Sequence, residues 1–242
     1  MSDGYTFYNE VGYLSSEQII TGFKDGTFKP DNTVTRSHAA IMIGRSLGLN
    51  GDPINTKFND VTANVTGSGY IASAVRKGII TGFPDNTYRP NELVARGQMA
   101  IFLNRAFTLT TGQANSFHDV SSNTAAYQSI LDAVATGIAD GYPDGSYRPD
   151  TSVTRGQFSA FMARALNPVY REKGRIVIRV DKNSFLVVDT YPLHLQAGNK
   201  YGATSFEYPN ASETLKIGQR VEVESTGPVL DSYPKQGVAK TI

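Results

Sequence analysis

Apolar positions in the first two thirds of the chain recur at intervals of three and four residues, the spacing of one helix face. The clearest stretches cover 99–107 and 158–166, and shorter ones cover 70–75 and 127–134. These four predicted helices run for two or three turns, which is marginal for an isolated helix in water. We therefore expect the helices to be stable only when they pack against one another.

The residue after each shorter stretch predicts how that helix ends. Gly78 and Gly137 stand just past two of them, and glycine is the usual residue beyond a helix C-terminus. The corresponding place earlier in the chain is occupied by Gln18. From this difference we expect the first helix to end in another way.

From residue 174 onwards the hydrophobic period changes from about 3.6 to two, the spacing of strands with one buried face. Glycine, asparagine and proline separate the alternating segments. About five short strands predict a small antiparallel β-barrel-like domain at 174–242. The predicted strands cover 175–180, 185–189, 203–208, 220–225 and 238–242.

One loop sequence occurs three times. GFKDGTFKPDNTVTR at 22–36 returns as GFPDNTYRPNELVAR at 82–96 and as GYPDGSYRPDTSVTR at 141–155. The copies begin 60 and 59 residues apart. Such a nearly constant interval indicates one supersecondary unit that is repeated and packed on itself. The loop contains Asp followed by Gly or Asn, preceded in two copies by proline, which predicts a tight turn. The aromatic residue of the loop is expected to pack on the core. The last proline of the loop predicts that the residue before it is extended.

The spacing divides residues 1–168 into three repeats of about 1–50, 51–110 and 111–168. Repeats 2 and 3 open with KFNDV at 57–61 and SFHDV at 116–120, and the equivalent opening of repeat 1 would precede residue 1. The predicted fold class is therefore multidomain. A mainly α, pseudo-threefold bundle of three helix–loop–helix repeats is followed by the small β domain.

The residues before each longer helix predict its cap. Thr154 followed by Gln157 forms a capping box, whereas Thr35 is followed by His38 and provides half of one. Ala95 stands at the cap position of the second repeat. Alanine there is expected to cost about 1 kcal/mol relative to threonine.

Composition narrows the classes of function. A net charge of +1 with 19% charged residues gives no indication of bulk binding to nucleic acid or to a membrane surface. The sequence holds no apolar run long enough for a transmembrane helix, no signal peptide and no cysteine, so disulfides and thiolate chemistry are excluded.

An arginine heads the second helix of every repeat, at Arg36, Arg96 and Arg155. A cation there opposes the helix dipole, at a cost of roughly 0.3–1 kcal/mol. Free N–H groups at a helix N-terminus bind anions, and a guanidinium adds bidentate recognition of a carboxylate or phosphate. Three anion sites are therefore predicted.

An alternative explanation stays open, namely that each arginine pairs with a carboxylate of the protein. Asp60 and Asp119 in the repeat openings are candidates, and so are the loop acids. Both interpretations hold if an Asp orients a guanidinium towards a ligand. The loop acids are Asp25, Asp85 and Asp144.

Weaker candidates accompany these arginines. Arg45, Arg105 and Arg164 fall in the last helical turn, where the dipole favours a cation, so a structural role is adequate. The loop glycines Gly22, Gly82 and Gly141 either allow a ligand close to the backbone or permit positive φ. The three histidines match no metal spacing, and no catalytic motif is evident, so neither a metal, a cofactor nor an enzyme is predicted.

The repeats resemble the S-layer homology (SLH) domain family. The resemblance lies in the F-x-D-V openings at 58–61 and 117–120, in the G-[FY]-x-D-[GN]-[TS]-[FY]-x-P loop, and in the arginine before the second helix. It implies three helix–loop–helix units with grooves between them. The family's Thr-Arg-Ala-Glu motif corresponds to 35–38, 95–98 and 154–157, where its Glu is replaced by His38, Gln98 and Gln157.

The resemblance also implies a function outside the cell. Such domains anchor exported proteins to secondary cell-wall polysaccharide, often a pyruvylated one, with the motif arginine near the acidic sugar substituent. Polysaccharide-binding residues expected on this basis are Arg36, Arg96, Arg155, Gly22, Gly82, Gly141, Asp60 and Asp119. Other surface-layer proteins are a second class of expected partner.

Residues 174–242 resemble a small β domain of unknown function from exported proteins of Gram-positive bacteria. The resemblance rests on G-[RQ]-I-x-x-x-V-D at 174–181, on LKIGQRVEV at 215–223 and on DSYPKQ at 231–236. It implies no activity. Two alternatives to wall anchoring are a self-assembly module with internal arginine salt bridges, and an enzyme in the β domain around His194.

Overall fold

The computed structural model describes residues 5–109, 117–171, 175–189, 203–216, 220–221, 223–225 and 235–241. The chain divides into two compact regions, Met1–Arg171 and Glu172–Ile242. In the described part, no helix is both long and apolar enough to cross a membrane.

Six α-helices form the described framework of the N-terminal region, two for each repeat. A shorter helix precedes the loop and a longer one follows it, as the periodicity predicts. The shorter helices are α1 Tyr8–Ser16, α3 Ser68–Arg76 and α5 Tyr127–Ala135, and the longer ones are α2 Arg36–Ser46, α4 Arg96–Phe107 and α6 Arg155–Leu166. A 3-10 turn, Pro168–Tyr170, follows α6.

The helices pair between repeats. The shorter helix of repeat 2, α3, packs on α2, and that of repeat 3, α5, packs on α4. In the same way α1 packs on α6, which joins the first repeat to the last. Their apolar stripes meet in one buried cluster, to which each repeat contributes large side chains such as Leu14, Ile71 and Ile130.

Three valines link the repeats in a closed cycle of backbone hydrogen bonds. Val94 N–H donates to the carbonyl of Val34 (2.9 Å), Val153 N–H to that of Val94 (2.9 Å), and Val34 N–H to that of Val153 (3.0 Å). All three side chains are fully buried. Each repeat thus supplies both a donor and an acceptor to its neighbours.

The ends of the shorter helices correct one prediction. Gly78 and Gly137 adopt φ of 70° and 71°, as expected for glycines that follow a helix. Gln18 was expected to end α1 in another way, but it takes the same left-handed conformation, with φ of 58°. The packing of α1 therefore fixes the backbone even where the side chain disfavours it.

The caps of the longer helices follow the sequence prediction. Thr154 Oγ1 accepts from the N–H of Gln157, whose side chain accepts from Thr154 N–H, which completes the capping box. Thr35 Oγ1 accepts only from His38 N–H. Ala95 provides no side-chain cap, although Gln98 Oε1 accepts from its N–H (3.2 Å).

The repeated loops pack as predicted in one respect and differ in another. The aromatic residues Tyr88 and Tyr147 are buried in the core. The residues before the loop prolines were predicted to be extended, yet Lys29, Arg89 and Arg148 have φ of 53°, 58° and 58°. The side chain of each reaches back to the Asp four residues earlier, a contact that accompanies this left-handed turn.

The C-terminal region contains a six-stranded sheet in the order β4-β1-β2-β3-β6-β5. Its described pairs are antiparallel except β3 with β6, which is parallel. The elements are β1 Arg175–Asp181, β2 Ser184–Asp189, β3 Ala203–Glu207, α7 Ala211–Thr214, β4 Arg220–Val221, β5 Glu224–Ser225 and β6 Lys235–Thr241.

The prediction of an antiparallel barrel-like domain is therefore wrong in two details. The sheet is mixed, because the chain between β3 and β6 is long enough to return in the same direction. No described pairing joins β4 to β5, so the described part of the sheet is open. Phe185, Val187 and Phe206 lie in its small core.

Candidate functional site

The three repeated arginines extend from one repeat to the loop of another. Each guanidinium donates through Nε to the carbonyl of the loop aromatic, and through Nη2 to the carbonyl that precedes the loop glycine. The acceptors are Tyr88 (2.8 Å) and Thr81 (2.7 Å) for Arg36, Tyr147 (2.9 Å) and Asp140 (2.9 Å) for Arg96, and Phe28 (3.0 Å) and Thr21 (3.0 Å) for Arg155.

The proposed internal ion pairs are not found. Within the described residues, no carboxylate lies within 4 Å of the guanidinium nitrogens of Arg36, Arg96 or Arg155. The loop acids pair instead with the basic residues of the same loops. These surface pairs are Asp25 with Lys29, Asp85 with Arg89, and Asp144 with Arg148.

Asp60 and Asp119 fix the loops rather than the arginines. The Asp60 carboxylate accepts from the N–H groups of Tyr88 (2.8 Å) and Arg89 (2.7 Å). Asp119 accepts in the same way from Tyr147 (2.8 Å) and Arg148 (2.7 Å). Burial alone would raise the pKa of Asp119, but these backbone donors outweigh it and leave that pKa below its usual value.

The helix N-termini do not offer the free amides that the sequence suggested. Arg155 N–H donates to the carbonyl of Asn32 (2.7 Å), and Gly156 N–H donates to that of Pro30 (2.9 Å). The first two N–H groups of α2 and α4 are occupied in the same way by carbonyls of the following repeat. The guanidinium side chains, rather than these amides, are therefore the candidate groups for recognition of an anion.

Aromatic rings surround each guanidinium. The Cζ atom of Arg36 lies 4.9 Å from the ring centroid of Phe83 and 4.6 Å from that of Tyr88. That of Arg155 lies 4.9 Å from Phe23 and 4.5 Å from Phe28. Arg96 is placed similarly between Tyr142 and Tyr147.

The arginines differ in how far they reach solvent. Arg36 and Arg96 are 3% and 4% exposed, whereas Arg155 is half-buried. Burial lowers the pKa of Arg36 and of Arg155, although a guanidinium stays protonated in proteins. Since carbonyl oxygens bring no net charge, each site retains a positive charge without a carboxylate partner in the described structure.

A cavity of about 260 Å³ lies beside Arg155, and we call it groove 1. It lies where α6 of repeat 3 meets the loop and the second helix of repeat 1. Among the described residues, its walls combine apolar side chains with three basic ones and no acidic one. The lining residues are Ile20, Thr21, Gly22, Phe23, His38, Ile41, Met42, Arg45, Thr66 and Arg155.

The second repeated arginine also contributes to groove 1. Arg45 lines the cavity and donates to the carbonyl of Ile19 (3.4 Å). Its equivalent in repeat 3, Arg164, donates to Ile138 and lies 3.4 Å from Asp140 and 3.7 Å from Glu10. The two positions therefore differ in charge: carboxylates neutralise Arg164 but none of the described ones pairs with Arg45.

The loop glycines have a packing explanation. None of Gly22, Gly82 and Gly141 has a positive φ. A side chain at Gly82 would collide with the ring of Phe58, and one at Gly141 with the ring of Phe117. Gly22 itself lines groove 1, where a side chain would approach the carbonyl of Thr27.

Sequence reasoning missed three features of the site. The rings of Phe23, Phe83 and Tyr142, each directly after the loop glycine, were not assigned to the arginines, although their repetition was a usable signal. The carbonyl acceptors had no signal in the sequence. His38 was set aside because it matches no metal spacing, yet it lines groove 1.

Two further features of the described structure concern metal binding and the C-terminal region. No group of His, Cys, Asp or Glu side chains there could hold a metal ion. A second cavity, of about 510 Å³, lies in the C-terminal region beside Asn183, Glu207 and Tyr208. His194 lies outside the described residues, so the structure does not place it.

Two known protein families match this chain, one over the three repeats and one over the C-terminal region. The model of the S-layer homology domain matches 1–40, 57–100 and 116–159, and that of a protein of unknown function (DUF3221) matches 174–242. Cell surface glycoprotein 1 of Acetivibrio thermocellus is 26% identical over 61% of this chain and 7% of its own length.

Two further relatives extend the comparison. The cellulosome-anchoring protein of Acetivibrio thermocellus is 27% identical over 61% of this chain and 35% of its own length. The surface-layer 125 kDa protein of Lysinibacillus sphaericus is 28% identical over 80% of this chain and 16% of its own. The chain thus spans a minor part of these relatives. By its three matched repeats, the chain belongs to the S-layer homology domain family.

Proposed function

We propose that the three repeats form a pseudo-threefold bundle that anchors the protein at the cell surface, outside the cell. The bundle binds acidic secondary cell-wall polysaccharide, with pyruvylated sugars as the preferred class, in grooves between adjacent repeats. Arg155, Arg36 and Arg96 supply the positive charge of the three grooves. No catalytic step is assigned to the chain.

The observation that carries this proposal is a buried or half-buried positive charge in each repeat, with no carboxylate partner among the described residues. A guanidinium held by two carbonyls is oriented, but its charge is not compensated. In a partly desolvated groove such a charge attracts an anion more strongly than it would in water. Aromatic and apolar walls beside it provide a surface for a sugar ring.

The names of the relatives agree with anchoring. One is called a cellulosome-anchoring protein and another a surface-layer protein. Enzymes among the relatives share only 8–17% of their length with this chain, which favours a role for the repeats apart from catalysis. A self-assembly module held by internal arginine salt bridges is less well supported, because the arginines contact carbonyls instead.

The most direct test is the Arg155→Ala variant in sedimentation with purified bacterial walls that carry acidic polysaccharide. We expect its affinity to fall by about ten- to a hundredfold, because a charge-assisted interaction is worth roughly 1.5–3 kcal/mol. Arg155 is preferred to Arg36 and Arg96, whose burial makes their removal destabilising as well. Thermal unfolding checks that the variant remains folded.

The matched control is Arg76→Ala, which removes the same charge from an exposed position in the last turn of α3. It should pellet like the wild type. Arg155→Lys should restore binding only in part, since an ammonium cannot keep both carbonyl bonds. Equal pelleting of folded Arg155→Ala and wild type, or pelleting unaffected by removing the acidic substituents, contradicts the proposal.

A further inference from the structure

Groove 1 contains a titratable side chain that the other two repeats lack at the same position. Resting on the function proposed above, we propose that protonation of His38 raises the affinity of groove 1 for an acidic glycan substituent. Binding at this groove therefore strengthens as the pH falls through the titration range of histidine. The other two arginine sites do not share this response.

The geometry places His38 on the wall of the cavity. It is the third residue of α2, and its N–H is held by Thr35, which fixes its backbone at the start of the helix. Arg155 from α6 and Arg45 from the last turn of α2 line the same cavity. These are the charged groups that face His38 among the lining residues, and none of those residues is acidic.

The charge of the groove therefore depends on the state of His38. His38 is exposed on one side of the groove wall, yet its partial burial, and then the charge of Arg155, lower its pKa below the ordinary value. A lowered pKa favours the neutral imidazole at neutral pH, so the charge of groove 1 then comes mainly from Arg155 and Arg45. An anion in the cavity favours the protonated imidazole, and by linkage the protonated imidazole favours the anion.

Repeats 2 and 3 provide an internal comparison. Gln98 and Gln157 stand where His38 stands, and neither changes charge with pH. In repeat 3 the arginine that corresponds to Arg45 is engaged by Asp140 and Glu10. Of the three residues at this helix position, His38 is thus the only one that gains charge on mild acidification.

The experiment is an NMR titration of the intact protein with pyruvate, a carboxylate that stays ionised throughout, at pH 5 and at pH 8. Amide signals of Gly22 and Thr66 report groove 1 separately from the other sites. We expect affinity at groove 1 to be about three- to tenfold higher at pH 5, the effect of one added charge a few ångströms away that is screened almost as in bulk water. The apparent pKa of His38 should rise when pyruvate is added.

His38→Gln is the diagnostic variant, because glutamine occupies this position in the other two repeats and is compatible with the helix cap. It should bind pyruvate at groove 1 equally at both pH values. His118→Gln, which alters an exposed histidine outside the cavity, should keep the pH response of the wild type.

The possible failures are distinguishable. Binding at groove 1 that is equal at pH 5 and pH 8 in the wild type, or still pH-dependent in His38→Gln, overturns the role of His38 and leaves wall anchoring intact. If pyruvate produces no shift at groove 1 at either pH and Arg155→Ala pellets with walls like the wild type, both proposals fall.

Discussion

Arginine at the first position of α2, α4 and α6 opposes the helix dipole, and its bonds explain why it is tolerated. Each guanidinium fixes two carbonyls of another repeat's loop, so it contributes to assembly as well as to the charge of the site. The conflict with the dipole is what led from the sequence to the prediction that these arginines bind an anion, and that role stays a prediction. The sequence could not predict which carbonyls accept hydrogen bonds from the guanidinium groups. Every residue has a carbonyl, and only the fold brings two of them within reach of one arginine.

Backbone conformation at single residues gives a prediction that does not depend on binding. Gln18 holds the left-handed conformation that glycine adopts at Gly78 and Gly137. Since a residue with a Cβ pays about 1 kcal/mol or more there, Gln18→Gly should raise the free energy of unfolding by up to about 1 kcal/mol. Urea denaturation measures the change.

The control is the reverse change at an equivalent place. Gly78→Ala has open space for its methyl group but an unfavourable φ of +70°. It should lower the free energy of unfolding by about 1 kcal/mol. A destabilised Gln18→Gly variant would show that the glutamine side chain contributes contacts that outweigh the backbone conformation.

At the scale of elements, α1 carries an acidic side chain into its contact with α6. Glu10 is 0% exposed, and neither carboxylate oxygen has a hydrogen bond within the described structure. Arg164 Nη2 lies 3.7 Å away. Burial raises the pKa of Glu10, although its backbone and Arg164 act in the opposite direction. We therefore expect the stability of the contact between α1 and α6 to depend on pH.

The consequence is a pH-dependent stability. The folded protein binds the Glu10 proton more tightly than the unfolded chain, whose glutamates titrate near pH 4.3. Hence the contribution of Glu10 to the free energy of unfolding should increase as pH falls from neutrality through its folded pKa. Urea denaturation of wild type and Glu10→Gln between pH 7 and pH 5 should show this rise only in the wild type.

A second glutamate separates this effect from general titration. Glu17 is exposed at the end of α1, so Glu17→Gln should follow the wild-type curve. Parallel curves for wild type and Glu10→Gln would mean that the buried carboxyl does not titrate differently in the folded state.

At the scale of the whole molecule, periodicity predicted four helices of the N-terminal region and repetition predicted the other two, because local pattern determines those elements. Pairing in the C-terminal sheet was not predicted correctly. Alternation along a strand indicates a buried face but not the neighbour, and the parallel contact of β3 with β6 depends on how the intervening chain returns. Groove 1 was not predicted either, because it is formed by residues far apart in sequence. Thr21 and Arg155, for example, are 134 positions apart.

The division into two compact regions predicts that they can be separated. Residues 1–171 alone should unfold cooperatively, with a midpoint within a few degrees of the same transition in the intact chain, and should pellet with walls as the intact chain does. Residues 172–242 alone should remain in the supernatant. Calorimetry and sedimentation of both fragments test this, and loss of wall binding by 1–171 would assign an anchoring role to the C-terminal region.

The hydrogen bonds among the three valines of the N-terminal region restrict the number of repeats that the fold can accommodate. Each of the three backbone donors already has its acceptor, and the last repeat closes on the first. We therefore expect tandem duplication of a single repeat to leave the fourth copy without a partner for these hydrogen bonds, whereas an open solenoid lengthens one repeat at a time.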